Sequence, residues 1–387
     1  MPRTEGHDCY AVTPPGIEGL AARELSLLGV VPGAVEPGGV SFRASPREIA
    51  RANIEIRSAS RVLVRVATFH ASAFHELERR TARLPWEAYV APGRAVSFRV
   101  TSHKSKLYHQ DAIAQRLTAA VARRVPGATA AGGATADGPE ATEPPSAQLF
   151  VVRLFRDECT LSADASGAHL HQRGYRLATA KAPMRETLAA AMLLAVGWDG
   201  SAPLVDPLCG AGTIPIEAAL LARRIAPGLG RGFACEQWPS FDAVSWPALR
   251  ENARSRVLPR AAARIIGSDR DAGAIEAATD NARRAGVLDD VEFRRAALSA
   301  LDPPAGPGVV ITNPPYGVRV GRSGNLRDLY AQLGHTLRRR CAGWRVALLS
   351  ARHELAAQTR LDLQTVLRTT NGGIRVKLFE ATVPAPA

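Results

Sequence analysis

Cysteine is scarce in this 387-residue chain, and what there is stands dispersed. Cys9, Cys159, Cys209, Cys235 and Cys341 form no CxxC pair. That argues against a zinc knuckle or a disulfide framework and fits a reducing compartment, so no metal is expected. No run of about 18 uncharged apolar residues occurs, and none of the text predicts a membrane span. The opening MPRTEGHDCY lacks the basic-then-apolar pattern of an export leader, which points to the cytoplasm.

What is present is enough to build large cores. Hydrophobic residues make up 46% of the chain, and its length accommodates two or three domains at about 150 residues each. The formal net charge is +13, the balance expected of a protein with a polyanionic partner such as nucleic acid. A composition rich in Ala, Arg, Gly and Pro gives the same excess without any patch. The excess is not a tail: residues 1–180 hold 22 Lys/Arg against 17 Asp/Glu, and the remainder carries the rest.

The first 165 residues read as small α+β modules. SPREIARANIEI opens a helix with Ser45 as N-cap, Pro46 at the first helical position and Glu48 closing a capping box. RVLVRVATF reads as a buried strand, AVSFRV as another, and DAIAQRLTAAVARR as an amphipathic helix. LFVVRLFRDECTLSADAS predicts a hairpin turning at Arg156–Asp157. Between them, residues 125–148 have no aromatic and no periodicity, and read as a mobile insertion. After HLHQRGYRLATAKAP, strands and helices alternate, which predicts a mainly parallel, doubly wound sheet. A last hairpin turning at Asn371-Gly372-Gly373 adds an antiparallel edge.

In such a sheet, ligands bind beyond the carboxyl ends of the strands. VDPLCGAGT lies at one such end, with Asp206, Leu208, Cys209, Gly210, Gly212 and Thr213 as candidate ligand-holding residues. It is not a dinucleotide fingerprint, because Pro215 stands where the third glycine belongs, and no Gly-Lys-Ser/Thr follows. Asp206 would repel a phosphate and welcome an ammonium group. Asp269, followed by Arg270 at the end of a second strand, is placed to hold a ribose. Together they describe S-adenosylmethionine. Asp271 reads as a helix start, and the glycine loop read alone is also compatible with a tight strand-to-helix turn.

A second strand end, ITNPPYGVRV, carries Asn313, Pro314, Pro315 and Tyr316. An exocyclic base amine is a poor nucleophile because its lone pair is delocalised into the ring. The Asn313 amide oxygen and the Pro314 carbonyl, both accepting from that amine, would turn the lone pair toward an electrophile. Pro315 restricts Pro314, and Tyr316 can stack on the base. The bland alternative is a surface Asn-Pro turn.

DPLCGAGTIPIEAA and TNPPYG resemble class I S-adenosylmethionine-dependent methyltransferases acting on exocyclic base amines. SADASGAHLHQRGYR, APMRETLAAAMLLAVGW, APGLGRGFACEQW and RVTSHKSKLYH narrow the resemblance to the THUMP-domain RNA methyltransferases. Their N2-methylguanosine branch acts on bacterial 23S rRNA and on tRNA. The resemblance implies a ferredoxin-like segment over 1–50, a THUMP RNA-binding domain over 51–167 and a methyltransferase domain over 168–387. It implies structured RNA as partner, with Ser102, His103, Lys104, Lys106, Tyr108, His171, Arg173, Arg176 and Arg319 as contacts, and a monomer. Family members often carry an acid after the third strand, and Ala297 stands there in this chain. The chain shows one methyltransferase domain, so no second activity is implied. Adenine-N6 methylation and an inactive RNA-binding protein are the competing readings.

Overall fold

The computed structural model describes residues 6–131, 146–176, 184–317 and 324–385. The chain divides into two compact units. One takes the residues up to Thr13, Ala22–Gln172 and Gly230–Asn252; the other takes Pro14–Ala21, Arg173–Leu229 and Ala253–Ala387.

The first unit is built on one eight-stranded sheet. Its strands are β1 (His7–Val12), β2 (Pro32–Glu36), β3 (Gly39–Ala44), β4 (Arg61–His70), β5 (Ala95–His103), β6 (Thr129–Ala130), β7 (Ala147–Phe155) and β8 (Glu158–Asp164). Their spatial order is β2-β3-β1-β4-β8-β7-β5-β6. Since β1 pairs with both β3 and β4, residues on either side of position 50 share this sheet. Alternation decides what faces the core. In β7, Phe150, Val152 and Leu154 are buried, while Arg153 and Phe155 point outward. Trp86, fully buried, stands edge-on to Phe150 at 5.1 Å and donates its indole N–H to the Thr81 carbonyl at 2.8 Å. The capping box expected at Ser45 and Glu48 is present on the helix Pro46–Glu55.

Two sequence expectations change here. Residues 125–148 are not one insertion: β6 pairs with β5, and Gln148 is a buried member of β7. Only the central residues 132–145 lie outside the described residues. Gly230–Asn252 also does not cluster with the sheet that surrounds it in sequence. Trp238 donates to the Gln148 amide oxygen at 2.7 Å and stacks edge-on to Tyr89. Burying these large rings outweighs proximity along the chain.

The second unit carries β9 (Leu204–Asp206), β10 (Ile265–Asp269), β11 (Val291–Arg295), β12 (Val309–Thr312), β13 (Arg345–Ser350), β14 (Gln364–Asn371) and β15 (Ile374–Thr382). Their order is β11-β10-β9-β12-β13-β15-β14, parallel as far as β13 and antiparallel beyond it. This is the α/β doubly wound sheet the alternation predicts. Central strands feed both faces: Ile265, Val309 and Ile311 enter one core, and Ile266 and Val310 enter the other. The helices Glu186–Ala195 and Thr213–Ala222 are apolar nearly all round and buried along almost their whole length. Among the described residues no helix is long and apolar enough to cross a membrane, and no group of three His, Cys, Asp or Glu could hold a metal ion.

Candidate active site and nucleic-acid surface

β9 lies between β10 and β12, and the loop at its carboxyl end is tied at several points. Cys209 N–H donates to the Ser268 carbonyl at 3.0 Å, and Gly212 N–H to the Cys209 carbonyl at 2.9 Å. Gly212 caps the helix Thr213–Ala222 at φ +80°, and a Cβ there would meet Ala278 at 2.9 Å and Phe293 at 3.0 Å. Glycine is required for both reasons. Asn281, buried on the helix Ala272–Arg284, donates to the Ala211 carbonyl at 3.0 Å. Nothing in the local pattern marked Asn281.

Asp269 sits at the end of β10 and joins this loop. Its carboxylate accepts from Gly210 N–H at 3.1 Å and Asp271 N–H at 3.0 Å. Asp271 caps the helix Ala272–Arg284 by accepting from Ala274 N–H. Asp206 is buried, and burial lifts its carboxyl to about 7. The Asp269 charge lifts it further; Thr312 and the Leu208 N–H, at 3.2 Å, only partly oppose this. A cation arriving beside it would drive the carboxyl back to its ionised form. Cys209 is buried, which pushes its thiol far above the ordinary range and removes it as a nucleophile. Arg270 is exposed, and so is Ala297, the residue at the position the resemblance expects to be acidic.

β12 ends at Thr312. The next residue, Asn313, has its side-chain oxygen enclosed and without a hydrogen-bond partner among the described residues. A buried acceptor left open costs about 1–3 kcal/mol, so it is normally satisfied by something. Pro314 is buried, Pro315 exposed and Tyr316 half-buried. Tyr316 packs against the cluster of Leu326, Tyr330, Leu348, Leu355, Ala356 and Phe379, and its hydroxyl accepts from the Asn371 amide at 2.9 Å. Asn371 is 5% exposed and begins the terminal hairpin turn. Sequence reasoning placed it in the turn and missed its hold on the tyrosine, because the partners lie 55 residues apart.

Two predicted RNA contacts face inward instead. The side chain of Arg173 is 2% exposed and lies 3.5 Å from Glu217, which also accepts from the Tyr175 hydroxyl. Arg176 donates to the Met184 carbonyl and to the Thr213 hydroxyl, and stands 3.5 Å from Glu186. Buried carboxylates claim both guanidinium groups, so they brace the domain and do not meet a solvent-side phosphate. The hydroxyl of Thr213, predicted to bind cofactor, is engaged by Arg176. Arg319 lies outside the described residues.

In the other unit, the His103–Tyr108 loop is held by a neighbouring turn. Asp157 accepts from Lys106 N–H at 2.7 Å and donates its own N–H to Ser105 Oγ at 3.0 Å. Ser102 is spent internally, donating to the Leu107 carbonyl. His103, Lys104, Lys106 and Tyr108 remain exposed, Tyr108 by 65%. The half-buried His171 ring stacks on His169 at 5.2 Å.

Two family models match this arrangement: an RMKL-like methyltransferase domain over residues 173–377 and an RlmL ferredoxin-like domain over 8–63. Ribosomal RNA large subunit methyltransferase K/L of Syntrophotalea carbinolica is 37% identical across 96% of the chain, which spans only 53% of that protein. SMU.472, solved as a complex with SAH, superposes with a TM-score of 0.85 at 30% identity, covering 99% of each chain. A structure from Listeria monocytogenes named "predicted N6-adenine-specific DNA methylase" superposes at 0.84 with 33% identity, covering 99% and 97%. The methyltransferase model alone spans more than half of the chain, and the K/L relative matches nearly all of it: the chain belongs to the RMKL-like methyltransferase family.

Proposed function

We propose that the chain is an S-adenosylmethionine-dependent RNA methyltransferase that forms N2-methylguanosine in structured RNA, either large-subunit rRNA or tRNA. The observation that carries this reading is the enclosed, unpartnered Asn313 side-chain oxygen at the end of β12. An exocyclic base amine supplies the missing donor. As Asn313 and the Pro314 carbonyl both accept from it, the nitrogen becomes pyramidal and its lone pair turns toward the methyl carbon. Transfer forms the N–C bond and breaks the S–C bond, and the methylated ammonium then loses its proton to water. Tyr316, Pro315 and the wall behind them set the base in place, so catalysis is mainly positioning and electrostatics.

The residues present fit the cofactor, which supplies the electrophilic methyl group. Asp206, with Leu208, Cys209, Gly210, Gly212 and Thr213, forms the turn for its amino-acid end, and Asp269 with Arg270 receives its ribose. The SAH complex of SMU.472 supports a cofactor of this kind. RNA is favoured by the name of the K/L relative and by the exposed basic loop carrying Lys104 and Lys106. In this reading the segments 1–50 and 51–167 grip RNA, 168–387 performs the chemistry, and the protein works as a monomer in the cytoplasm. The name given to the Listeria structure favours adenine-N6 as a second reading, since the same corner suits either amine.

Nucleoside mass spectrometry decides between them. RNA from cells lacking the protein is incubated with enzyme and methyl-labelled cofactor. Labelled N2-methylguanosine is expected; labelled N6-methyladenosine alone would overturn the guanine assignment.

A further inference from the structure

The outward face at one end of the eight-stranded sheet carries features that the contacts proposed above leave unused. β5 and β7 run parallel and end together, with His103 opposite Phe155. β8 starts beside them with Glu158 opposite Phe155, and β4 ends there with His70 opposite Glu158. Phe155 is 39% exposed, an unusual position for a large apolar ring at a strand end. The His103 ring lies nearly parallel to it, 5.9 Å between centroids and 12° between planes. The guanidinium groups of Arg156 and Arg153 stand 5.2 and 6.0 Å from its centroid. Both arginines are exposed, and neither has a carboxylate partner among the described residues.

The platform is held rigidly. Arg156 and Asp157 both adopt positive φ, 52° and 64°, in a two-residue turn. Asp157 fastens that turn to the backbone of Ser105–Lys106. A strained turn between non-glycine residues persists only where its surroundings over-determine it.

We infer that this face is a stacking platform for an unpaired nucleotide of the RNA substrate, with Phe155 as its anchor. Aromatic rings on an open sheet face stack unpaired bases regardless of sequence, and arginines beside them take the flanking phosphates. Glu158 on the same face argues for a base over a duplex backbone, because a dense line of phosphates meets its charge while a neutral ring does not. The inference deepens the RNA reading above and rests on it.

The test is fluorescence anisotropy of a labelled single-stranded 12-mer RNA and of the same sequence as a duplex, across a salt series. Phe155→Ala should weaken single-strand binding about tenfold to a hundredfold with the salt slope unchanged, and Phe155→Trp should restore it. Arg153→Ala should lower the slope of log K against log salt by about 0.7, as for one phosphate contact on a single strand. Thermal melts of each variant should match the wild type, since these side chains lie outside the core. If Phe155→Ala binds like the wild type, or loses single strand and duplex equally, the platform is wrong. If the wild type methylates RNA yet ignores the single strand, the platform alone falls. If it neither methylates nor binds any RNA, the RNA reading falls and takes the platform with it.

Discussion

The two sheets use their loop ends in opposite ways. At the ends of β9 and β12, the groups that matter are hidden: Asp206 is 1% exposed, and the Asn313 oxygen is enclosed. At the ends of β5 and β7 they are displayed, with His103, Lys104, Lys106, Phe155 and Arg156 all exposed. Burial makes a carboxyl or an amide sensitive to one arriving partner, because few other groups screen or satisfy it. Exposure makes each contact weak and additive, which suits holding a long flexible polymer. On the proposed reading, one end selects an atom and the other collects a chain.

That contrast breaks most sharply at Asn313. Asn313→Ala should lower methyl transfer about 100- to 1000-fold, the scale seen when one preorganised polar group is removed from a reacting centre. Cofactor affinity, read by calorimetry, should stay within about twofold. Parallel loss of binding and turnover would mean that the corner and the glycine loop are one site.

Asp206 tests the energetic side of burial. The folded domain, without cofactor, keeps a proton there up to about pH 7, whereas the free side chain sheds it near 3.8. A pKa raised by folding contributes stability that is complete below the unfolded value and is lost as pH rises through the folded one. Wild-type protein should therefore melt at progressively lower temperature between pH 5 and pH 8, and Asp206→Asn should flatten that decline. The same variant should bind cofactor about tenfold to a hundredfold more weakly at pH 8, as expected for a lost hydrogen bond to a charged group. Identical pH profiles for the two melts would refute the assigned protonation.

Asn371 gives the smallest expected effect and sharpens the comparison within the catalytic unit. Asn371→Ala removes a single hydrogen bond to Tyr316, worth about 0.5–1.5 kcal/mol. Turnover per RNA-binding event should fall about two- to tenfold, with cofactor affinity unchanged. Tyr316→Phe keeps the ring and should act similarly, and the double variant should be no worse than either single one. Additive losses would show that the two residues act independently.

Features set by neighbours in sequence were legible beforehand. Ser45, Pro46 and Glu48 announce their helix because capping chemistry spans three residues. Gly372 and Gly373 announce the last hairpin because positive φ at both positions suits glycine. Asp206, Asp269 and Asn313 stand out in the sequence because each ends or directly follows an apolar strand. Distant partnerships left no local trace. Arg173 and Arg176 looked like RNA contacts until Glu217 and Glu186 were seen to claim them. The helix Gly324–Arg340 was not read at all, and Gly334 inside it resembles a breaker. A Cβ there would lie 2.0 Å from the Thr359 carbonyl oxygen, so the glycine serves close packing. Phe155 read as an ordinary strand residue, since its exposure depends on where the sheet ends.

The bond between Asn371 and Tyr316 also has a meaning in time. As the polypeptide leaves the ribosome, the tyrosine of the NPPY corner emerges 55 residues before the amide that holds its hydroxyl. Through that interval the tyrosine hydroxyl lacks its Asn371 partner. The bond forms only once the hairpin of β14 and β15 has been synthesised and paired beside β13. The position of this tyrosine hydroxyl thus depends on a hairpin made well after the strand that leads to the ring.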